Sequence, residues 1–328
     1  MKFLLILILL LGAVSLTAQT TFVVDDFSDQ YFARVFISDP SEVFSKGWIA
    51  IFDKKAKRQL LKINSEELTF DLHDGALKSN VKELPYGEQS LIMYEDYNFD
   101  GKKDLAVMDG QNSCYHGPSF QIFLATKLGF IRSPSFTRLA QEYCGMFQVV
   151  PETKTIHTMT KSGCCWHQFS EFAVRNNKPI ETKVFEEGAS TNGLTWDFVE
   201  YNRVGSKLIK KDYSVFDAQR QEHNVVFSFK FSNQKTLRLV ELGDTLNYIF
   251  TDKDNKVELM YSGRFYASEK ENAVWFSIGK TLYKILPDGI NVISHKKEVE
   301  MKAMEGSLSG ELSKVHNTQF YNVTNQSL

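Results

Sequence analysis

The run Asp96-Tyr97-Asn98-Phe99-Asp100-Gly101-Lys102-Lys103-Asp104 places oxygen-bearing side chains at every second position, then a glycine, then a further carboxylate. Short alternating carboxylate and amide side chains can converge on one hard cation while the backbone curls around it. With Asp96 as first position, Asn98 is third, Asp100 fifth and Asp104 ninth. Lys102, seventh, offers its main-chain carbonyl, and Gly101, sixth, sits where a sharp turn is required. This donor set and turn suit Ca²⁺. A helix–loop–helix site would carry a bidentate Glu at the twelfth position, where this chain has Val107, and both flanks read as strands. The spacing therefore predicts a shortened strand–loop–strand calcium loop with Asp104 as its last carboxylate. Two other readings are an Asx-rich hairpin turn, with Lys102 and Lys103 offsetting the acids, and a catalytic carboxylate pair. Crowding of every acid on one loop, with no matching pair elsewhere, argues against catalysis.

The four cysteines, Cys114, Cys144, Cys164 and Cys165, form a second cluster. In an exported chain an even, clustered number implies disulfides, and four allow three connectivities. Separate bonds from Cys164 and Cys165 to Cys114 and Cys144 are favoured over a ring between the adjacent pair. Cys114-Tyr115-His116 and Cys165-Trp166-His167 carry zinc or copper ligand types, but their spacing matches no usual zinc module. A Cys–His nucleophile would lack an orienting third group. No nucleophile elbow, zinc-protease helix, phosphate loop or dinucleotide fingerprint is found, so no catalytic residue is assigned and the chain is expected not to be an enzyme. Asn322-Val323-Thr324 and Asn325-Gln326-Ser327 fit the glycosylation sequon.

The elements that must carry these clusters read mostly as strands. Residues 1–18 have a basic Lys2, an apolar run from Phe3 to Leu11 and small residues ending at Ala18, the pattern of a secretory signal peptide. The expected location is periplasmic or secreted, with no membrane span after cleavage. Charge is nearly balanced, with 38 basic and 40 acidic residues, which argues against nucleic acid as a partner. Runs such as Tyr31–Ile37, Gly47–Phe52, Ser119–Leu124 and Val225–Phe231 are β-branched and aromatic, and turn residues separate them. Ser135–Tyr143 is the one modest helix candidate in the N-terminal half, with Ser135 as its N-cap. The pattern relaxes at Glu186–Asn192, which predicts a 19–188 domain holding the loop and the cysteines and a small 193–328 domain. The fold class is mainly β: an antiparallel propeller-like or sandwich domain, then a small antiparallel barrel or sandwich.

The segments DYNFDGKKDLAV, NSCYHGPSFQIFL, FTRLAQEYCGMF and TKSGCCWHQF resemble exported bacterial proteins with a D-x-N-x-D-G loop between strands. Among these are periplasmic proteins similar to lysozyme inhibitors, including immunity proteins against peptidoglycan-cleaving effectors. The resemblance spans about Ser90 to Ala173. It implies a structural Ca²⁺ on Asp96, Asn98, Asp100, Lys102 and Asp104. KTLRLVELGDTLNYIFTDKDNKVELMYSG and AVWFSIGKTLYKIL look like small exported β-barrels of Gram-negative bacteria, some of which inhibit lysozyme, although the paired cysteines of such barrels are missing. For an inhibitor the implied mechanism is steric. A rigid loop, here Ser113–Phe120, enters the glycan cleft of a lysozyme or other peptidoglycan hydrolase, and Tyr115, His116 and Ser119 donate hydrogen bonds to its carboxylates. Alternative readings are a carbohydrate- or cell-surface-binding module, with Trp48, Trp166, Trp196 and Trp275 as stacking platforms for cell-wall glycan, and a hydrolase with an unrecognised site.

Overall fold

A computed structural model describes residues 20–84, 87–295 and 297–325. The expected signal peptide, residues 1–18, lies outside the described residues. The chain divides into two compact units, one of residues up to Lys161 with Phe169–Lys183, the other of Ser162–Gln168 with Val184 onward.

The first unit opens with β1 (Thr20–Val24), β2 (Tyr31–Ile37), β3 (Ser45–Asp53) and β4 (Gln59–Leu68), an antiparallel sheet in chain order. Period-two alternation turns Ala33, Val35 and Ile37 of β2, and Ile49 and Ile51 of β3, inward with no exposed surface. A second sheet in chain order contains β5 (Ile92–Glu95), β6 (Asp104–Ser113), β7 (Gly117–Thr126) and β8 (Gly129–Arg132). The buried residues of the two sheets belong to one core, which holds Val35, Ile49 and Ile51 with Leu105, Val107 and Ile122; Ile122 pairs with Ala106, so the second sheet is buried on both faces. This is the packing of a β-sandwich.

Helix α1 (Pro134–Glu142) buries Phe136, Thr137, Leu139 and Ala140, and Thr137 Oγ1 accepts the Ile122 amide at 3.0 Å. The helix begins one residue before the expected Ser135. Pro134 supplies the fixed φ of a first helical position, and Ser133 before it is extended, as a residue preceding proline must be. β9 (Gln148–Val150) pairs antiparallel with β10 (Thr155–Ser162). β11 (Trp166–Arg175) and β12 (Lys178–Ala189) each contribute residues to both units. β12 runs on through the acidic part of the segment expected to be a linker, and the turn falls after Ala189.

In the second unit β13 (Thr195–Val204) and β14 (Lys207–Phe216) form a hairpin. β15 (His223–Lys230), β16 (Thr236–Leu242), β17 (Thr245–Thr251) and β18 (Val257–Tyr261) form one meander. A second comprises β19 (Phe265–Ser268), β20 (Ala273–Ile278), β21 (Thr281–Leu286), β22 (Gly289–Ser294) and β23 (Lys297–Lys302). Phe227, Phe229, Leu237 and Tyr248 of the first meander pack with Phe265, Phe276 and Ile285 of the second. The unit is a sandwich rather than a closed barrel. After a short strand β24 (Ser309–Gly310) and a short helix α2 (Ser313–Asn317), the described residues close with β25 (Val323–Asn325). β24 extends the first sheet beside β15, and β25 extends the second, parallel to β19. Asn322 anchors this tail: its amide donates to the carbonyls of Leu246 and Gly263, each at 2.8 Å, and its Oδ1 accepts the Leu246 amide at 2.9 Å. The side chain of this sequon is committed to the fold.

Among the described residues no helix is long and apolar enough to cross a membrane.

Candidate functional site

The acidic loop joins β5 to β6, antiparallel neighbours that place Glu95 opposite Asp104. Its side chains fold back onto its own amides. Asp96 Oδ1 and Oδ2 accept from the amides of Asp100 and Gly101 at 3.1 and 2.8 Å, and Asn98 Oδ1 accepts from Asp100 at 3.2 Å. The Asn98 amide group donates outward, to Asn177 Oδ1 at 3.1 Å, so its oxygen is the atom turned into the loop. Gly101 takes φ +85°, which its lack of a Cβ allows. Phe99 also takes a positive φ, +61°, an uncommon conformation for a bulky residue. Its ring packs against the core, and the neighbouring Tyr97 is fully buried with its ring 5.3 Å from Phe147. These two anchors hold the strained turn in place.

Asp104 is fully buried. Its Oδ2 accepts the Tyr97 amide at 2.9 Å and its Oδ1 the Ala125 amide at 2.7 Å. Burial pushes its pKa up to about 7; the two amide donors pull it down, and the charges of Asp96 and Asp100 push it further up. The near counter-charge is Lys102 Nζ, 3.5 Å from Asp100 Oδ2. The loop thus concentrates negative charge, and Asp96, Asn98, Asp100 and Asp104 each turn an oxygen onto main-chain amides. Among the described residues no three His, Cys, Asp or Glu side chains are gathered into a metal cluster. The three carboxylates of the expected donor set, Asp96, Asp100 and Asp104, are thus not gathered as such a cluster; Asn98 and the Lys102 carbonyl are its other two members.

The second candidate lies at the end of β6, where Cys114–His116 form a single 3₁₀ turn before β7. A disulfide joins Cys114 to Cys144, with Cα atoms 4.8 Å apart. The other joins Cys164 to Cys165, in the turn between β10 and β11. This corrects the expected cross-pairing: the end of β6 and the segment after α1 bring Cys114 and Cys144 together, so these two satisfy each other. All four cysteines are oxidised, which removes them as thiolate ligands or nucleophiles.

Tyr115 and His116 take consecutive left-handed conformations, φ +53° and +58°. Their turn is held by the disulfide, by Gly145 N donating to Ser113 Oγ at 3.1 Å, and by Gly117 N donating to the Cys114 carbonyl. Tyr115 is 62% exposed, with Lys161 Nζ 5.1 Å above its ring. His116 Nε2 lies 3.2 Å from Glu67 Oε2, and its ring meets Phe44 edge-on. A cleft of about 200 Å³ opens beside the turn, lined by Ser113, Tyr115, Pro118, Gly145 and Lys161 among others.

Ser119 departs from expectation. It has no exposed surface, its Oγ donates to Asp109 Oδ1 at 2.6 Å, and it accepts from the Asn112 amide at 3.1 Å. Gln141 donates to the other Asp109 oxygen at 2.7 Å. Ser119 is therefore a brace beneath the turn and cannot reach a partner; Asp109, Asn112 and Gln141 complete the brace, and no local spacing signals them.

Three of the four tryptophans have local partners. Trp48 stacks on Phe36, Trp275 stacks on Tyr266, and Trp196 Nε1 donates to Asp217 at 3.1 Å.

No family model matches the sequence, and no curated protein matches it. Among solved structures, a Xanthomonas type IV secretion system related protein aligns at 15% identity with a TM-score of 0.47, covering 61% of this chain and 96% of that one. Prolyl oligopeptidase B from Galerina marginata aligns at 7% identity with a TM-score of 0.24, covering 88% of this chain and 42% of that one. The Dos1 propeller aligns at 10% identity and 0.23, covering 88% and 68%. At these identities and TM-scores the likenesses assign no activity to the chain.

Proposed function

We propose that the chain is an exported, calcium-stabilised, non-enzymatic protein that binds and blocks a peptidoglycan hydrolase of the lysozyme type through the Cys114–Gly117 turn. The observation that supports this most directly is the turn itself: a strained, disulfide-tied segment that holds an exposed aromatic hydroxyl and an imidazole. Such a segment is already ordered before association, so it avoids about 0.5–1.5 kcal/mol of ordering cost for each side chain it immobilises. In this reading Tyr115 Oη donates to a carboxylate in the partner's glycan cleft, and His116 exchanges Glu67 for a second one. Ser119, Asp109 and Gln141 position the turn without touching the partner. Ca²⁺, held by Asp96, Asn98, Asp100, the Lys102 carbonyl and Asp104, neutralises the acidic loop and fixes the start of β6, the strand that ends in the turn.

The test is titration of the purified mature protein into lysozymes of several types while cell-wall lysis is followed. Inhibition that Tyr115→Ala weakens by about 30-fold or more, as for an interface anchor, supports the reading. No binding and no inhibition across the panel sinks it.

A further inference from the structure

The face of the β1–β4 sheet turned away from the core carries a pattern that neither the acidic loop nor the stapled turn uses. Strand register sets three rows across it. Thr21, Phe36, Trp48 and Asn64 form one row, Val23, Arg34, Ala50 and Lys62 the next, and Phe32, Phe52 and Gln59 the third. Phe36 stacks on Trp48 with centroids 5.7 Å apart, and Phe32 on Phe52 at 5.2 Å. Cations rest on these rings: Lys62 Nζ is 4.4 Å from the Trp48 centroid, the Arg34 guanidinium 5.4 Å from Phe52, and Lys57 Nζ, from the β3–β4 turn, 5.6 Å from Phe32.

No Asp or Glu stands in any of the three rows. Among the described residues, Arg34, Lys57 and Lys62 make no ion pair. A ring face attracts a cation without neutralising it, so the positive charge stays available to an anion. Between Arg34 and Lys62 stands Ala50, which has no exposed surface and is covered by its neighbours, so the cations and rings themselves form the outer surface. The two cations are two strands apart, roughly 9–10 Å. Val23, 59% exposed, continues the apolar strip at the edge. A net charge of −2 gives the chain as a whole no attraction for polyanions, so any capture has to be local.

We propose that this face binds an acidic polysaccharide. Carboxylates of the glycan pair with Arg34, Lys62 and Lys57, and apolar C–H faces of the sugars lie on the exposed edges of Trp48, Phe36 and Phe52. The spacing of the cations along a row suits an extended polymer with regularly placed negative charge. A membrane surface would be better served by apolar side chains standing clear of the cations, and here the rings are held beneath them.

The test uses the whole mature chain and polygalacturonate as probe, with neutral dextran and phosphatidylglycerol vesicles as comparison arms. Binding followed by calorimetry and tryptophan fluorescence is expected for polygalacturonate, absent for dextran, and weaker as salt rises, because exposed charges are screened. The Arg34→Gln/Lys62→Gln variant is expected to bind at least about ten-fold more weakly with an unchanged melting temperature. Trp48→Phe, which keeps a ring, is expected to retain more affinity than Trp48→Ala. The proposal is overturned if polygalacturonate does not bind, if the double variant binds as wild type does, if dextran competes equally, or if only the vesicles bind. No hydrolase takes part in this assay, so its failure and a failure to inhibit lysis are distinguishable.

Discussion

Replacement of Asp104 by Asn gives the sharpest test of the acidic loop. A folded-state pKa of about 7 against an ordinary 3.8 means that folding disfavours the charged form of this buried carboxylate. Its stabilising contribution is therefore complete below about pH 3.8, falls as pH rises, and is fully lost once pH has passed about 7. The gap corresponds to roughly 4 kcal/mol across that window. Asn carries no charge and so removes the slope. It also brings an NH₂ against one of the two backbone amides that Asp104 now accepts from, at a pH-independent cost of about 1–3 kcal/mol. In chelator the wild type should thus be the more stable protein near pH 4 and the variant should equal or exceed it near pH 8. Calcium should raise the wild-type curve most at pH 7–8 and leave the variant almost unmoved. Urea unfolding at four pH values, with chelator and with calcium, measures all of this. The wild-type-minus-variant difference cancels the opposite slope contributed by other carboxylates. A difference that stays flat or grows with pH would refute the role given to Asp104. An unchanged calcium response in the variant would remove Asp104 from the ligand set.

The remaining predictions concern the staples and the brace. Losing Cys114–Cys144 as a double Ser variant should cost about 3–4 kcal/mol, since the bond closes a 30-residue separation, whereas opening the adjacent Cys164–Cys165 ring should cost only about 1 kcal/mol by the same chain-entropy relation; denaturant titration of both variants measures the contrast. Ser119→Ala should destabilise by about 1–3 kcal/mol by leaving the Asn112 and Asp109 groups short of a partner, and should weaken hydrolase binding less than Tyr115→Ala does. Asn322→Ala should lower the melting temperature and speed amide exchange in β25 before the rest of the second unit, and uniform exchange across that unit would count against the anchoring role.

The acidic loop can be located from sequence because strand alternation stops at Glu95 and resumes at Asp104, leaving the oxygen-bearing residues between two strands that must pair. The burial of Ser119 cannot. The β5–β8 sheet is covered on both faces, by the core shared with the first sheet and by α1, so Ser119 and Phe120, adjacent in sequence and pointing to opposite sides, are both interior. Disulfide pairing is equally opaque, because it depends on where α1 returns the chain, a tertiary fact. The start of α1 differs from expectation because Ser135 resembles a cap, while the rigidity of Pro134 moves the boundary one residue earlier. The outward face of the first sheet is visible in the sequence only as scattered aromatics; its rows emerge once register sets Arg34, Ala50 and Lys62 side by side.

The tail of the second unit has a consequence for how the protein is made. β24 and β25 cover one edge each of two different sheets, and both are synthesised after the strands they cover. Until that segment arrives, β15 and β19 expose unpaired main-chain groups, the surface along which strands of separate molecules add to one another. A chain stalled or clipped before Ser309 bares both edges at once, so such fragments should self-associate even though the first unit retains its own core.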